Sequence, residues 1–187
     1  MAGKVCPFWI GYLLLSPLRR FFQNPDKILA PYISPDMTVM DYGSAMGYFS
    51  LPMARMVQPA GKVICVDIQE RMLIALARRA ERAGLTNNIE TFCIDTEMFS
   101  LNPFYERIEF ILCFAVAHEV PDQKILFTEL SNALKSGGYM LLSEPSGHVN
   151  AEAFQKTQET AFECGFGHPR KIGIQRARTV LLEKANG

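Results

Sequence analysis

The sequence predicts an α/β protein with a mostly parallel sheet, and three features of the 187-residue chain carry that prediction. Residues 39–50 form a short apolar strand that passes through a small-residue turn into a helix. Residues 62–67 are nearly all apolar, as a parallel strand buried on both faces must be. Helical and strand-like patterns then alternate, before residues 169–174 and 178–183 close the chain as an antiparallel hairpin.

The turn at residues 43–47 has the features of a nucleotide pocket. Small residues at Gly43, Ala45 and Gly47 let a ligand lie against the backbone without meeting a Cβ. The helix after the turn begins with N–H groups that have no partner inside the helix, and such turns bind a ribose or a phosphate. We therefore expect the turn to bind the nucleoside part of a cofactor.

The spacing of this turn separates two classes of cofactor. Dinucleotide enzymes use G-x-G-x-x-G, whereas this turn reads Asp-x-Gly-x-Ala-x-Gly, with Asp41 two residues before the first glycine. The pattern resembles motif I of the Rossmann-like (class I) S-adenosylmethionine-dependent methyltransferases, in which the position of Ala45 is usually glycine. An NAD-dependent oxidoreductase is disfavoured, because the spacing is wrong and the sequence has no Tyr-x-x-x-Lys.

The resemblance covers residues 35–184 and includes a Lys-x-Gly-Gly turn at 135–138. It implies a seven-stranded, mostly parallel sheet with helices on both faces and a C-terminal antiparallel hairpin. It also implies S-adenosyl-L-methionine as cofactor and methyl transfer to a small molecule by in-line displacement. We assign residues 1–34 to a helical lead-in or lid and residues 35–187 to the methyltransferase domain. A catalytically silent module that binds the cofactor is the alternative, since Ala45 departs from the motif.

Acidic residues follow two of the predicted strands. Asp67 ends the second strand, where an acid accepts hydrogen bonds from both ribose hydroxyls in nucleotide-binding βαβ units. Asp95 follows the third strand, and the resemblance implies that it contacts the adenine amino group; a turn or cap role is the alternative. The candidate cofactor-binding residues are Asp41, Gly43, Ser44, Ala45, Gly47, Asp67, Ile68, Asp95, Thr96 and Phe114.

The candidate catalytic residue is His118. Residues 115–122 resemble the Ala-x-x-His-x-Val-Pro-Asp segment of small methyltransferases related to ubiquinone and menaquinone biosynthesis, which implies that His118 lies beside the transferring methyl. With Glu119 alongside, it is a candidate base for a hydroxyl, amine or acidic-carbon acceptor, whereas a thiolate or metalloid would need none. Packing or capping is the alternative role. Glu144 and His148 are interpreted as loop residues, although either could touch substrate.

Composition limits the partners and the compartment. The chain has 19 basic and 19 acidic residues and no basic run longer than two, so we expect no nucleic-acid partner. Five widely spaced cysteines and three histidines match no zinc spacing, so we expect no metal, reduced core cysteines and a cytoplasmic location.

The aromatic-rich segment at residues 7–33 has three interpretations. It packs on the domain, it forms a lid over the methyl-transfer site, or it binds a lipid surface, for which Arg19 and Arg20 beside the aromatic residues are suited. Pro7 and Gly11 interrupt its apolar part, which is also shorter than a spanning helix and lacks a small-residue cleavage site. We therefore predict neither a membrane span nor a signal peptide.

Overall fold

The structure is a computed structural model that describes residues 19–94 and 99–185. The described chain falls into two compact units, residues 19–94 and residues 99–185. Residues 1–18, which hold the first part of the aromatic lead-in, lie outside the described residues, and so do Asp95 and Thr96.

The first unit contains three parallel strands in the order β3-β2-β1. Asp41, near the end of β1, pairs with Cys65, and Asp67, the last residue of β2, pairs with Cys93. Because the strands are parallel, the carboxyl ends of β1 and β2 lie at the same edge of the sheet. Its elements are α1 (Arg19–Phe22), α2 (Pro25–Leu29), β1 (Thr38–Tyr42), α3 (Ser50–Met56), β2 (Lys62–Asp67), α4 (Glu70–Arg82) and β3 (Ile89–Cys93).

The second unit contains four strands in the order β4-β5-β7-β6. Strands β4 and β5 are parallel, while β7 is antiparallel to both β5 and β6. Asp122 and Asn150 cap the two helices, each accepting a backbone N–H with its side chain. The elements are β4 (Ile108–Phe114), α5 (Gln123–Ala133), β5 (Leu134–Pro145), α6 (Ala151–Glu163), β6 (Phe166–Ile172) and β7 (Ala177–Lys184).

The predicted fold class is confirmed: an α/β protein with seven strands, mostly parallel, and a C-terminal antiparallel hairpin. Strand β2 has the predicted bounds, and Asp122 caps α5 as expected. One local prediction was wrong, because residues 135–138 form a bulge within β5 instead of a separate turn. Leu134 pairs with Ile108 and Tyr139 with Phe110, so the four residues between them have one partner residue, and Gly137 has a φ of 73°.

One expectation about burial also needs correction. Cys65 and Cys113 are buried as predicted, but Cys93 is exposed and Cys164 is half-buried, so the cysteines are not uniformly core residues. Leu29 and Ile33 are buried, which shows that the later part of the lead-in packs as core. None of the helices that the structure describes is both long and apolar enough to cross a bilayer.

Candidate active site

The turn between β1 and α3 owes its shape to left-handed backbone at three alternating residues. The φ angles are 76° at Gly43, 45° at Ala45 and 79° at Gly47. Gly43 and Ser44 both donate their backbone N–H to the carbonyl oxygen of Val66, at 2.9 and 3.0 Å. Left-handed backbone disfavours a Cβ, so the small residues are required by the turn itself as well as by a ligand.

The carboxylate of Asp67 ties the end of β2 to this turn. Its Oδ2 accepts the backbone N–H of Ala45 at 2.9 Å, and its Oδ1 accepts that of Gln69 at 2.8 Å. Burial raises the pKa of Asp67, and the bonds from Gln69 and Ala45 oppose that shift. A carboxylate offers about four lone-pair positions, so the bonds from Gln69, Ala45 and Ile68 leave about one for a ligand.

Ser44 has a buried hydroxyl that lacks a partner. Its side chain is 4% exposed, and its Oγ forms no hydrogen bond within the described part of the chain. Most buried polar atoms are hydrogen-bonded, so an unpartnered hydroxyl in the turn is a place where a ligand can supply the missing partner.

Helix α4 packs against the turn and forms a hydrogen bond with it. The Arg79 guanidinium donates to the carbonyl oxygen of Met46. A Cβ added at Gly47 would lie 2.8 Å from Leu51 Cδ1 and 2.9 Å from Leu76 Cγ, so this glycine also permits close packing. Arg79 is half-buried against the turn, although it lies among exposed charged residues of α4.

Asp41 is buried beneath the turn, at 3% exposure. The Ser50 hydroxyl, at the start of α3, donates to its Oδ2 at 2.5 Å. Burial, and to a lesser extent the charge of Asp67, raise the pKa of Asp41 to about 7 against the opposing effects of the Ser50 hydrogen bonds and the charge of Arg19. Asp41 therefore sits near its midpoint of ionisation at neutral pH.

Helix α1 lies against the same turn. The Arg19 guanidinium is 4.4 Å from the centroid of the Tyr48 ring and 5.3 Å from that of Phe49, within cation–π range. The Tyr48 hydroxyl donates to the backbone carbonyl of Gln23 at 2.9 Å, and Arg19 Nε donates to the side chain of Gln23 at 2.8 Å. The described end of the lead-in is thus attached to residues that follow Gly47.

In the second unit, His118 forms a pair with Glu144. His118 lies in a short 3-10 turn after β4, and Glu144 lies near the end of β5. The His118 Nδ1 is 2.5 Å from Glu144 Oε2, and the His118 backbone N–H is 3.3 Å from Oε1. The hydrogen bond to Glu144 raises the pKa of His118 above its ordinary value, burial lowers it, and the charge of Glu119 raises it.

The structure brings six of the predicted site residues together within the first unit. Within the first unit, Asp41, Gly43, Ser44, Ala45, Gly47 and Asp67 all belong to the β1 and β2 ends or the turn. Ile68 follows Asp67 and is 39% exposed, which is high for an isoleucine beside such a turn. Phe114 is the last residue of β4 and is buried.

The sequence analysis missed three participants. Glu144 was interpreted as a loop residue, but it is a buried strand residue paired with His118. The signal available was a glutamate inside an otherwise apolar strand, since such a charge needs a partner. Arg79 and Ser50 left no comparable signal, because exposed arginines on a helix and a serine at a helix start are both common.

These features agree with comparisons to known proteins. Residues 33–185 match the family model described as "Methyltransferase domain". The chain therefore belongs to this methyltransferase family, as predicted. Among solved structures, a SAM-dependent methyltransferase from Aquifex aeolicus matches with a TM-score of 0.86 at 20% identity, over 97% of this chain and 100% of that one. The Rossmann-like fold of S-adenosylmethionine-dependent methyltransferases is thus confirmed.

Curated relatives match more partially. A protein-L-isoaspartate O-methyltransferase from Pyrobaculum arsenaticum is 29% identical over 67% of this chain and 58% of its own length. A ribosomal protein L11 methyltransferase from Pelotomaculum thermopropionicum is 28% identical over 63% of this chain and 35% of its own. The chain thus spans less than two thirds of the length of either relative. The finer resemblance to ubiquinone and menaquinone enzymes stays a prediction.

Proposed function

We propose that this protein transfers a methyl group from S-adenosylmethionine to a small-molecule acceptor. The observation that carries the proposal is the turn at residues 43–47, tied to Asp67 through the Ala45 N–H and holding the unpartnered hydroxyl of Ser44. The cofactor supplies an electrophilic methyl group on a positively charged sulfur. The chain needs mainly to bind, orient and exclude water.

The residues of the first unit fit the nucleoside part of this cofactor. The carboxylate of Asp67, at the end of β2, suits the ribose hydroxyls, and the exposed side chain of Ile68 suits one face of the adenine. Ser44 offers its hydroxyl to a polar group of the ligand. For Asp95, Thr96 and Phe114 the cofactor-binding role remains a proposal from the family resemblance, as does the catalytic role of His118.

Charge favours a small acceptor over nucleic acid. The net charge is zero and no basic run exceeds two residues, whereas RNA-binding surfaces carry an excess of lysine and arginine. The names of the two curated relatives refer to protein substrates, but those relatives are longer than the part this chain matches. We therefore retain the small molecule as the proposed acceptor and the cytoplasm as the proposed location.

We also propose that the lead-in closes over the cofactor. Helix α1 holds the turn through Arg19 and Tyr48, so a ligand on the turn will affect α1 directly. Hydrogen exchange of α1 should slow when S-adenosylhomocysteine binds, while β1 and β2 stay protected throughout. If the hydrogen-exchange rate of α1 does not change when the ligand is added, and the protein binds to anionic vesicles, lipid binding is favoured instead.

The cofactor assignment is tested by thermal unfolding with S-adenosylmethionine, S-adenosylhomocysteine, NAD or buffer. A ligand present at 100 times its dissociation constant stabilises the folded protein by about 2.7 kcal/mol. We expect both sulfur compounds to raise the melting temperature and NAD to leave it unchanged. A rise with NAD alone would overturn the proposal, and binding without turnover of any acceptor would favour the silent-module alternative.

A further inference from the structure

Glu144 is a buried carboxylate whose charge must be compensated. Its side chain is 1% exposed, and an unpaired carboxylate at such a position is costly. Arg178 pairs with Glu144 across β5 and β7, but its Nε donates to the backbone carbonyl of Val149 at 3.0 Å. The group that contacts the carboxylate is instead His118, whose Nδ1 lies 2.5 Å from Oε2.

The geometry of this contact fixes one orientation of the imidazole. One oxygen of Glu144 faces Nδ1 and the other accepts the backbone N–H of the same histidine, at 3.3 Å. A carboxylate at Nδ1 favours the tautomer with its proton on Nδ1 and leaves Nε2 as a lone-pair base. Among the described residues, no hydrogen bond reaches Nε2, and the His118 side chain is 25% exposed.

The neighbouring glutamates stabilise the imidazolium form of His118. Glu144 and Glu119 both raise the pKa of His118, and burial opposes them. The His148 ring lies edge-on, with its centroid 6.0 Å from that of His118. A proton accepted at Nε2 therefore creates an imidazolium directly beside a carboxylate, as in base–orienter pairs of other enzymes.

We propose that Glu144 is a positioning residue that makes His118 Nε2 a general base for a methyl acceptor that must lose a proton, with a phenolic or enolic hydroxyl as the acceptor to be tested. The proposal deepens, and rests on, the proposed methyltransferase function. A thiolate, a metalloid or a carboxylate already carries a reactive lone pair at neutral pH, so none of them needs a base. A phenol, with a pKa of about 10, lies close enough to histidine for efficient proton transfer, whereas an alkyl alcohol does not.

In the proposed transfer, one proton leaves the acceptor oxygen and one methyl group takes its place. The hydroxyl proton moves to His118 Nε2, the hydroxyl oxygen forms a bond to the methyl carbon, and the S–CH3 bond breaks with its electron pair left on sulfur. The products are a methyl ether, S-adenosylhomocysteine and an imidazolium that returns its proton to water. Glu144 keeps its charge throughout and holds the ring in position.

The tautomer can be tested by NMR of the whole chain with 15N-labelled histidine, which gives three ring systems, His118, His148 and His168. Above its pKa, His118 should show a protonated Nδ1 and an unprotonated Nε2. Glu144→Gln should lower the His118 pKa by about 1 to 3 units, the range for losing an adjacent opposite charge. Glu119→Gln, the matched control at the neighbouring residue, should lower it less. A proton on Nε2 in the neutral wild-type ring, or equal shifts in both variants, would overturn the role of Glu144.

The acceptor class is tested by turnover with S-adenosylmethionine and two probes, catechol and thiophenol. Catechol methylation should fall by about 10²-fold or more in His118→Gln, and in Glu144→Gln its pH profile should move to lower pH. Thiophenol methylation should change by less than threefold in either variant. No turnover of catechol, or equal losses for both probes, would overturn the hydroxyl acceptor. If Glu144→Gln fails to fold, the tautomer of the wild-type protein and the activity of His118→Gln still decide the proposal. If the wild-type protein does not bind S-adenosylhomocysteine, that result refutes the proposed function and not the role of Glu144.

Discussion

The cofactor turn of the first unit and the His118–Glu144 pair of the second are built in different ways. The turn uses backbone N–H groups and one carboxylate, and it depends on three residues with left-handed backbone within five positions. The pair uses two side chains that lie 26 residues apart and meet because β4 and β5 are parallel neighbours. A site made from backbone therefore leaves a compact motif in the sequence, whereas a site made from distant side chains leaves none.

The largest effect on cofactor binding is expected at Asp67, where the turn depends on one side chain. Asp67→Ala removes the acceptor for the Ala45 N–H and the proposed acceptor for two ribose hydroxyls. Loss of hydrogen bonds to a charged group costs about 1.5 to 3 kcal/mol, which weakens binding of S-adenosylhomocysteine by roughly ten- to a hundredfold. Calorimetry measures this affinity, and Glu70→Ala, an exposed acid at the start of α4, is the matched control. Equal affinities for the two variants would remove Asp67 from the site.

The second prediction separates backbone strain from packing in the turn. Gly47 and Gly84 have φ angles of 79° and 69°, but a Cβ would clash with Leu51 and Leu76 at Gly47 and meet nothing within 4 Å at Gly84. Gly84→Ala should therefore cost only the strain, about 1 kcal/mol. Gly47→Ala should cost a further 1 to 3 kcal/mol from overpacking, measured by urea unfolding. Equal losses would mean that the turn is not tightly packed on α3 and α4.

The third prediction concerns Asp41 and the pH dependence of stability. Burial raises the pKa of Asp41 to about 7, above the 3.8 of a free aspartate. Between these values the folded protein binds a proton that the unfolded chain has released, so stability falls as pH rises from about 4 through 7. The slope is on the order of 1 kcal/mol per pH unit.

Asp41→Asn keeps a hydrogen-bond partner for Ser50 and removes the titration. Its free energy of unfolding, compared with wild type at pH 5, 6 and 7 without cofactor, should lose this slope. Parallel curves for the two proteins would show that Asp41 is ionised across the range. Asp36→Asn, an exposed acid of the same unit, serves as control.

The smallest effect is expected at Ala45, where the family usually has glycine. Because Ala45 has a φ of 45°, a substitution here changes the backbone strain as well as the space beside the turn. Ala45→Gly should relieve left-handed strain and gain up to about 1 kcal/mol, partly offset by greater freedom of the unfolded chain. Cofactor affinity should stay equal or improve, as measured by calorimetry.

Ala45→Val gives the opposing test at the same position. A β-branched residue is a true outlier in left-handed backbone, so this variant should distort the turn and weaken cofactor binding. Wild-type affinity in the valine variant would show that the cofactor does not lie against residue 45.

What the sequence could predict follows the same division. Strand β2, the helix caps at Asp122 and Asn150, and the grouping of residues 41–47 with Asp67 all follow from local patterns. The pairing of His118 with Glu144 does not follow from a local pattern. It depends on the register between β4 and β5, and that register shifts at the bulge formed by residues 135–138. The support from Arg79 was also hidden, since a helical arginine has no sequence mark that distinguishes a buried hydrogen bond from a solvated charge.

The most direct test of the two separate roles is the dissociation constant of S-adenosylhomocysteine for Asp67→Ala and His118→Gln, measured by calorimetry on folded protein at one pH. If the first unit binds the nucleoside and the His118–Glu144 pair handles the acceptor proton, Asp67→Ala should bind at least tenfold more weakly than wild type. His118→Gln should bind within twofold of wild type. A loss of affinity in His118→Gln that equals or exceeds the loss in Asp67→Ala would contradict this account.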